Sequence, residues 1–147
     1  TMILSLDVSS KCTGWAIYDM EGLLVDYGSF RPASLLDFLD NISKLLLRDV
    51  SSVICEQIFC GINKNTFKLL AKYQGIVELA CLQHSIQVQY LSAIQWRAVL
   101  GWPRLKRAEA KKKAIVTVKE LYDIVANDDQ AEAVCLGLAY FKCKENT

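Results

Sequence analysis

Val53-Ile54-Cys55-Glu56-Gln57-Ile58 is the stretch that decides the fold. A short apolar run of this kind reads as a buried strand, and this one ends on a carboxylate. Charged residues are rarely buried without a partner or a metal. Asp7 closes a second such run, Met2-Ile3-Leu4-Ser5-Leu6, and Asp129 with Glu132 opens the apolar C-terminal segment. Acids at the edges of three core-like segments predict one metal-binding cluster assembled by folding.

Around these runs the remaining elements follow from periodicity. Thr13 to Asp19 and Leu23 to Phe30 read as strands joined by a Glu21-Gly22 turn, giving a three-strand meander. Ser34 can cap a helix to about Arg48, with Leu35, Leu36, Leu39, Ile42, Leu45 and Leu46 apolar. Ser51 to Glu56 is the fourth strand. A long helix follows from about Asn65 to His84, where Gly75 is expected to permit close packing. Ile86 to Leu91 is the fifth strand, and Ser92 caps a short helix through Leu100. A basic helix from about Arg107 to Val125 takes Ile115, Val118, Leu121 and Tyr122 as its apolar face. Asn127 or Asp128 caps the last helix, to about Lys142. The order βββαβαβααα predicts an α/β fold with a mixed five-stranded sheet flanked by helices. Helical crossovers make the first, fourth and fifth strands parallel, which sets Asp7 beside Glu56.

The chain has 147 residues, 52% of them apolar, which suits one domain over residues 1–147 and argues against global disorder. Net charge is +1, but Arg104 to Lys113 carries six cations and one anion. Met2 to Leu6 is too short for a signal h-region, and no apolar run reaches membrane-spanning length. Cysteines at 12, 55, 60, 81, 135 and 143 form no CxxC pair, and His84 is the one histidine. A zinc site is therefore not expected, nor a small-molecule cofactor. Core thiols in a reducing cytoplasm are.

The motifs resemble a known family. Leu6-Asp7-Val8-Ser9-Ser10-Lys11-Cys12-Thr13-Gly14-Trp15-Ala16 is similar to the opening of RuvC-type Holliday junction resolvases. Cys55-Glu56-Gln57-Ile58-Phe59 resembles their second motif, and Asp129-Gln130-Ala131-Glu132-Ala133 their final Asp-x-Ala-Asp-Ala helix. Gln74-Gly75-Ile76-Val77, Val99-Leu100-Gly101 and the lysine-rich helix fall in family order between them. The compactness and the Ser-Ser loop resemble a phage-type member, which would act in a bacterial host's cytoplasm. The resemblance implies an RNase H-like fold, a homodimer and Mg²⁺-dependent nicking of four-way DNA junctions. Asp7, Glu56, Asp129 and Glu132 match the catalytic and metal-binding acids. Glu132 departs from the family's Asp by one methylene. Asp128, adjacent to Asp129, is the alternative ligand or else a cap.

Four carboxylates supply the hard oxygen ligands that suit two Mg²⁺ ions about 4 Å apart, with Mn²⁺ able to substitute. Phe59 matches the aromatic that enters the junction centre in the family, where base stacking is worth roughly 1–3 kcal/mol; the plain alternative is a core phenylalanine. Lys11, Asn63, Lys64, Lys106, Arg107, Lys111, Lys112 and Lys113 are the candidate phosphate contacts. Arg97 stands near a family lysine and is expected to replace it. Either Lys111 or Lys112 matches the family's basic helix residue. Two other readings compete: an RNase H-like nuclease for RNA or flaps, and a non-catalytic DNA-binding module. Acids at all four positions weigh against the second, because an idle carboxylate cluster repels DNA.

Overall fold

The computed structural model describes residues 1–59, 61 and 63–145, so Cys60, one of the expected core thiols, lies outside the described residues. Five strands form one sheet: β1 (Met2–Val8), β2 (Thr13–Asp19), β3 (Leu24–Phe30), β4 (Val50–Glu56) and β5 (Gln87–Leu91). Their order is β3-β2-β1-β4-β5. The β1–β2 and β2–β3 pairs are antiparallel hairpins, whereas β1–β4 and β4–β5 are parallel, as the crossovers require. The helices are α1 (Leu35–Leu46), α2 (Lys64–Gln83), α3 (Ala93–Val99), α4 (Arg107–Tyr122) and α5 (Asp128–Glu145).

Strand alternation sorts the core into two halves. Leu4, Leu6, Ile17, Val53 and Cys55 face α1 and α2, meeting Phe38, Ile42, Tyr73, Val77 and Ala80. Ile3, Ala16, Tyr18 and Ile54 face the other way, toward α3, α4 and α5. The same period of two carries Asp7 and Glu56 onto the α5 side, since Asp7 follows Ile3 and Ser5, and Glu56 follows Ile54. Ser5 Oγ and Tyr18 Oη donate to the carbonyls of Ala133 and Val134 at 2.7 and 2.6 Å, tying α5 to the sheet.

Side-chain caps start the helices where the sequence places them. Ser34 accepts from the Asp37 amide, and Ser92 forms a reciprocal capping box with Gln95. Asn127, rather than Asp128, caps α5: its Oδ1 accepts from the Gln130 amide at 2.8 Å, and Gln130 Oε1 accepts from the Asn127 amide at 3.2 Å.

Three expectations need correction. Helix α4 stops at Tyr122, short of Val125, because Asp123 turns left-handed at φ 55°. Of its expected apolar face, Val118 is buried and Ile115 and Tyr122 pack partly buried on the core, but Leu121 is exposed, and Ala110 and Ala114 complete the buried seam. Alanine carries little hydrophobic signal in a sequence but permits close approach to α5. Gly75 has no packing role within the chain: it is exposed, and an added Cβ would meet nothing within 4 Å. Among the described residues no helix is long and apolar enough to cross a membrane.

Candidate active site

Asp7 and Glu56 end adjacent parallel strands, with Leu6 opposite Cys55 in the ladder. Glu132 enters from the second turn of α5. One carboxylate oxygen from each of Asp7, Glu56 and Glu132 lies within 4.8 Å of the others. Asp7 is 5% exposed and Glu132 8%. Burying a carboxylate without a countercharge costs on the order of several kcal/mol. Two buried carboxylates facing each other and the half-buried Glu56 therefore oppose folding, and their convergence needs a reason outside stability.

The electrostatics describe a site short of positive charge. Burial raises the Asp7 carboxyl well above the usual carboxylate range, and the charges of Glu56, Glu132 and Asp129 add to it. Burial also raises Glu56, against a hydrogen bond from Trp96 and the charges of Arg97 and Arg107. Glu132 is raised by burial too, although it shares a hydrogen bond with Asp7 and faces Arg97 and Lys111. Its Oε1 is buried with no hydrogen-bond partner. An orphaned acceptor among converging carboxylates fits a hard divalent cation.

Asp129 lies one turn before Glu132 on the same helix face, beside this triad rather than within it. Burial and Asp128 raise its carboxyl, while a hydrogen bond with Cys12 and the charges of Lys111 and Arg31 pull it down. Asp128 is otherwise engaged. Partial burial would raise it, but Lys111 Nζ, 3.1 Å from Asp128 Oδ2, holds it below the usual range.

The expected DNA contacts fall on several elements. Phe59 is 82% exposed in the loop after β4, so it is no core phenylalanine. Lys11, in the β1–β2 loop, and Lys64, at the start of α2, are exposed. Asn63 caps α2, its oxygen accepting from the Asn65 and Thr66 amides. Lys106 and Arg107 begin α4, and Lys112 is exposed on it. Lys113 Nζ lies 5.7 Å from the Trp102 ring centroid, and the Arg97 guanidinium carbon 5.2 Å from that of Trp96. Lys111 is half-buried in its ion pair.

Sequence reasoning missed two features of the site. Trp96 donates from Nε1 to Glu56 Oε1 at 2.7 Å, whereas the sequence marks it only as an apolar helix residue. Gly14 stands opposite Asp7 in the β1–β2 ladder, and a Cβ there would lie 1.9 Å from the carbonyl oxygen of Asp129. The strand register was the available signal for Gly14; nothing local pointed to the tryptophan bond.

A mixed sheet in this order, with helices on both faces and acids at the ends of β1 and β4, defines an RNase H-like nuclease fold with a carboxylate site. The family model for the crossover junction endodeoxyribonuclease RuvC matches residues 3–140. The chain belongs to the RuvC family. A crossover junction endodeoxyribonuclease RuvC from Dictyoglomus thermophilum is 27% identical over 156 aligned positions, covering 98% of each chain. One from Sphingopyxis alaskensis is 26% identical, covering 95% of this chain and 96% of its own. Among solved structures, T. thermophilus RuvC in complex with a Holliday junction substrate superposes with a TM-score of 0.81 at 13% identity, covering 99% of this chain and 96% of that one. The yeast mitochondrial Holliday junction resolvase Ydc2 matches at 0.57 and 10% identity, covering 98% and 80%.

Proposed function

We propose that this chain nicks four-way DNA junctions symmetrically as a homodimer, using divalent cations held by Asp7, Glu56 and Glu132, with Asp129 completing a second position. The observation that carries the reading is the convergence of Asp7, Glu56 and Glu132, two of them buried, in a chain of this family. Mg²⁺ bound there would supply activation of the attacking water and neutralisation of charge at the phosphate. The protein's own part is positional. Strand ends carry Asp7 and Glu56, and α5 carries Glu132, so the backbone brings the three carboxylates together before substrate arrives. Arg97, Arg107 and Lys111 face the acids and lower the repulsion that a phosphodiester would meet. Lys11, Lys64, Lys106, Lys112 and Lys113, with the amide of Asn63, serve the flanking phosphates, whose contacts position DNA without reading sequence. Phe59, exposed beside the β4 end, offers a stacking face to an opened branch point.

A second copy matches the two-fold of a junction. Support comes from α2, where Gly75, Leu79 and Leu82 fall on one stripe, with Leu79 48% and Leu82 76% exposed. The free thiols of Cys12, Cys55, Cys81, Cys135 and Cys143 suit a reducing compartment such as a bacterial cytoplasm.

The test uses an end-labelled immobile junction and a matched linear duplex, with Mg²⁺, Mn²⁺ or EDTA, beside Glu56→Gln. Symmetric nicks in the junction alone, lost with EDTA and in the variant, are the expected result. Equal cutting of single-stranded or flap DNA would shift the reading to a broader nuclease. Tight junction binding without cutting in either metal would favour a binding module.

A further inference from the structure

Trp96 is 1% exposed, so its indole N–H has to find an acceptor inside the protein. The acceptor is Glu56 Oε1, at 2.7 Å. Packing fixes the donor. Trp102 meets the ring edge-on at 5.4 Å, the Arg97 guanidinium lies over it, and the Ser92–Gln95 capping box anchors the start of α3. The ring also belongs to the core half that contains Ala131 to Leu136 of α5, the helix that delivers Glu132. Glu56 by contrast has three rotatable bonds and stands at a strand end. A carboxylate with one oxygen tied has fewer orientations open to it, and its remaining lone pairs stay available.

We infer that Trp96 is a positioning residue for the metal site, its indole N–H orienting Glu56 toward Asp7 and Glu132. Partners of this kind, one step behind the ligands, commonly set ligand orientation in metal sites. The inference rests on the reading of the triad as a divalent-cation site. It gives α3 a part in the site that its sequence, Ala-Ile-Gln-Trp-Arg-Ala-Val, does not announce.

The experiment measures Mn²⁺ affinity calorimetrically without DNA, metal-free Tm in EDTA, and junction nicking. The proteins are the wild type, Trp96→Phe, Glu56→Ala, their double variant, and Ile42→Val. Trp96→Phe is expected to weaken Mn²⁺ binding roughly tenfold or more. In the Glu56→Ala background it should cost nothing further, because Trp96 acts only through Glu56. Ile42→Val takes bulk from the opposite half of the core, away from Trp96 and the carboxylates, and should lower Tm while keeping Mn²⁺ affinity within about twofold. Should Trp96→Phe fail to fold, 3-benzothienylalanine placed at position 96 keeps the ring shape and lacks the N–H; it should show the same loss of Mn²⁺ affinity with the aromatic packing kept. Unchanged Mn²⁺ affinity in that protein or in Trp96→Phe would overturn the inference, as would equal losses in both backgrounds of the cycle. Wild type that neither binds Mn²⁺ nor nicks a junction would overturn the metal-site reading and this inference with it. Wild type that does both leaves the role of Trp96 to be judged alone.

Discussion

Asp7 sits almost wholly inside the protein with Glu56, Glu132 and Asp129 around it, and burial and then those charges raise its carboxyl. A carboxyl raised in the fold keeps a proton that the unfolded chain has released. Its contribution to metal-free stability is therefore greatest below the ordinary carboxylate range and declines as pH rises through the folded pKa. Asp7→Asn removes the charge and keeps the size. In EDTA the variant's Tm should exceed that of wild type by about 3 °C or more near pH 7, and the gap should close as pH falls below about 3.9, the ordinary Asp value. Mg²⁺ should raise the Tm of wild type far more than that of the variant, which should not nick junctions. Differential scanning calorimetry across pH reads all of this, and a gap that does not change with pH would refute the account. Asp7 and Glu56 were legible in the sequence because each is a charge closing an apolar run. The engagement of Asp128 by Lys111 was not, since it depends on where a residue of a different helix comes to rest. The Trp96–Glu56 bond was hidden for the same reason, joining residues 40 positions apart.

Helix α5 delivers Glu132 and Asp129, and two glycines set how closely it lies on β2. At one end the carbonyl oxygen of Asp129 occupies the space a Gly14 side chain would need. At the other a Cβ on Gly137 would meet the Tyr18 ring at 2.3 Å, and that ring is held by its bond to the Val134 carbonyl. Either alanine must push the helix outward, with an overpacking cost of about 1–3 kcal/mol. The consequences differ by position. Gly14→Ala lifts the end that carries the carboxylates, and displacement by about 1 Å at a reacting centre can cost on the order of 100-fold in rate. Gly137→Ala acts two turns away. The expected outcome is comparable Tm losses, with a raised Mg²⁺ requirement and a large loss of nicking rate in Gly14→Ala alone. Titrating Mg²⁺ in the nicking assay checks it, and equal kinetic losses in both variants would refute it. The order of elements was legible because each segment's period is clear and its caps are standard. On α4 the expected Ile115, Val118 and Tyr122 do pack on the core, but Ala110 and Ala114 contribute by being small, and no periodicity of large residues reports that.

For the whole molecule, the exposed stripe of α2 is the surface on which the proposed second copy can be tested. Gly75, Leu79 and Leu82 recur at helical spacing on the face opposite Tyr73, Val77 and Ala80, which pack on the sheet. Glycine's missing side chain lets another backbone come close, and nothing of this chain fills that space. Covering an exposed leucine is worth roughly 1.5–3 kcal/mol. Leu79→Glu/Leu82→Glu should therefore raise a dimer's Kd by about 100-fold or more, at about 1.4 kcal/mol per factor of ten. Because both side chains are already exposed, the change should cost the isolated chain only about 0.5 kcal/mol per site. Light scattering behind size exclusion should give twice the chain mass for wild type and the single mass for the variant, with a similar Tm at low concentration. Nicking should then lose its pairing: isolated single nicks should accumulate, since no second site is held across the branch point. Wild type at the single mass that still makes paired nicks would place the two-fold elsewhere and remove this role from α2.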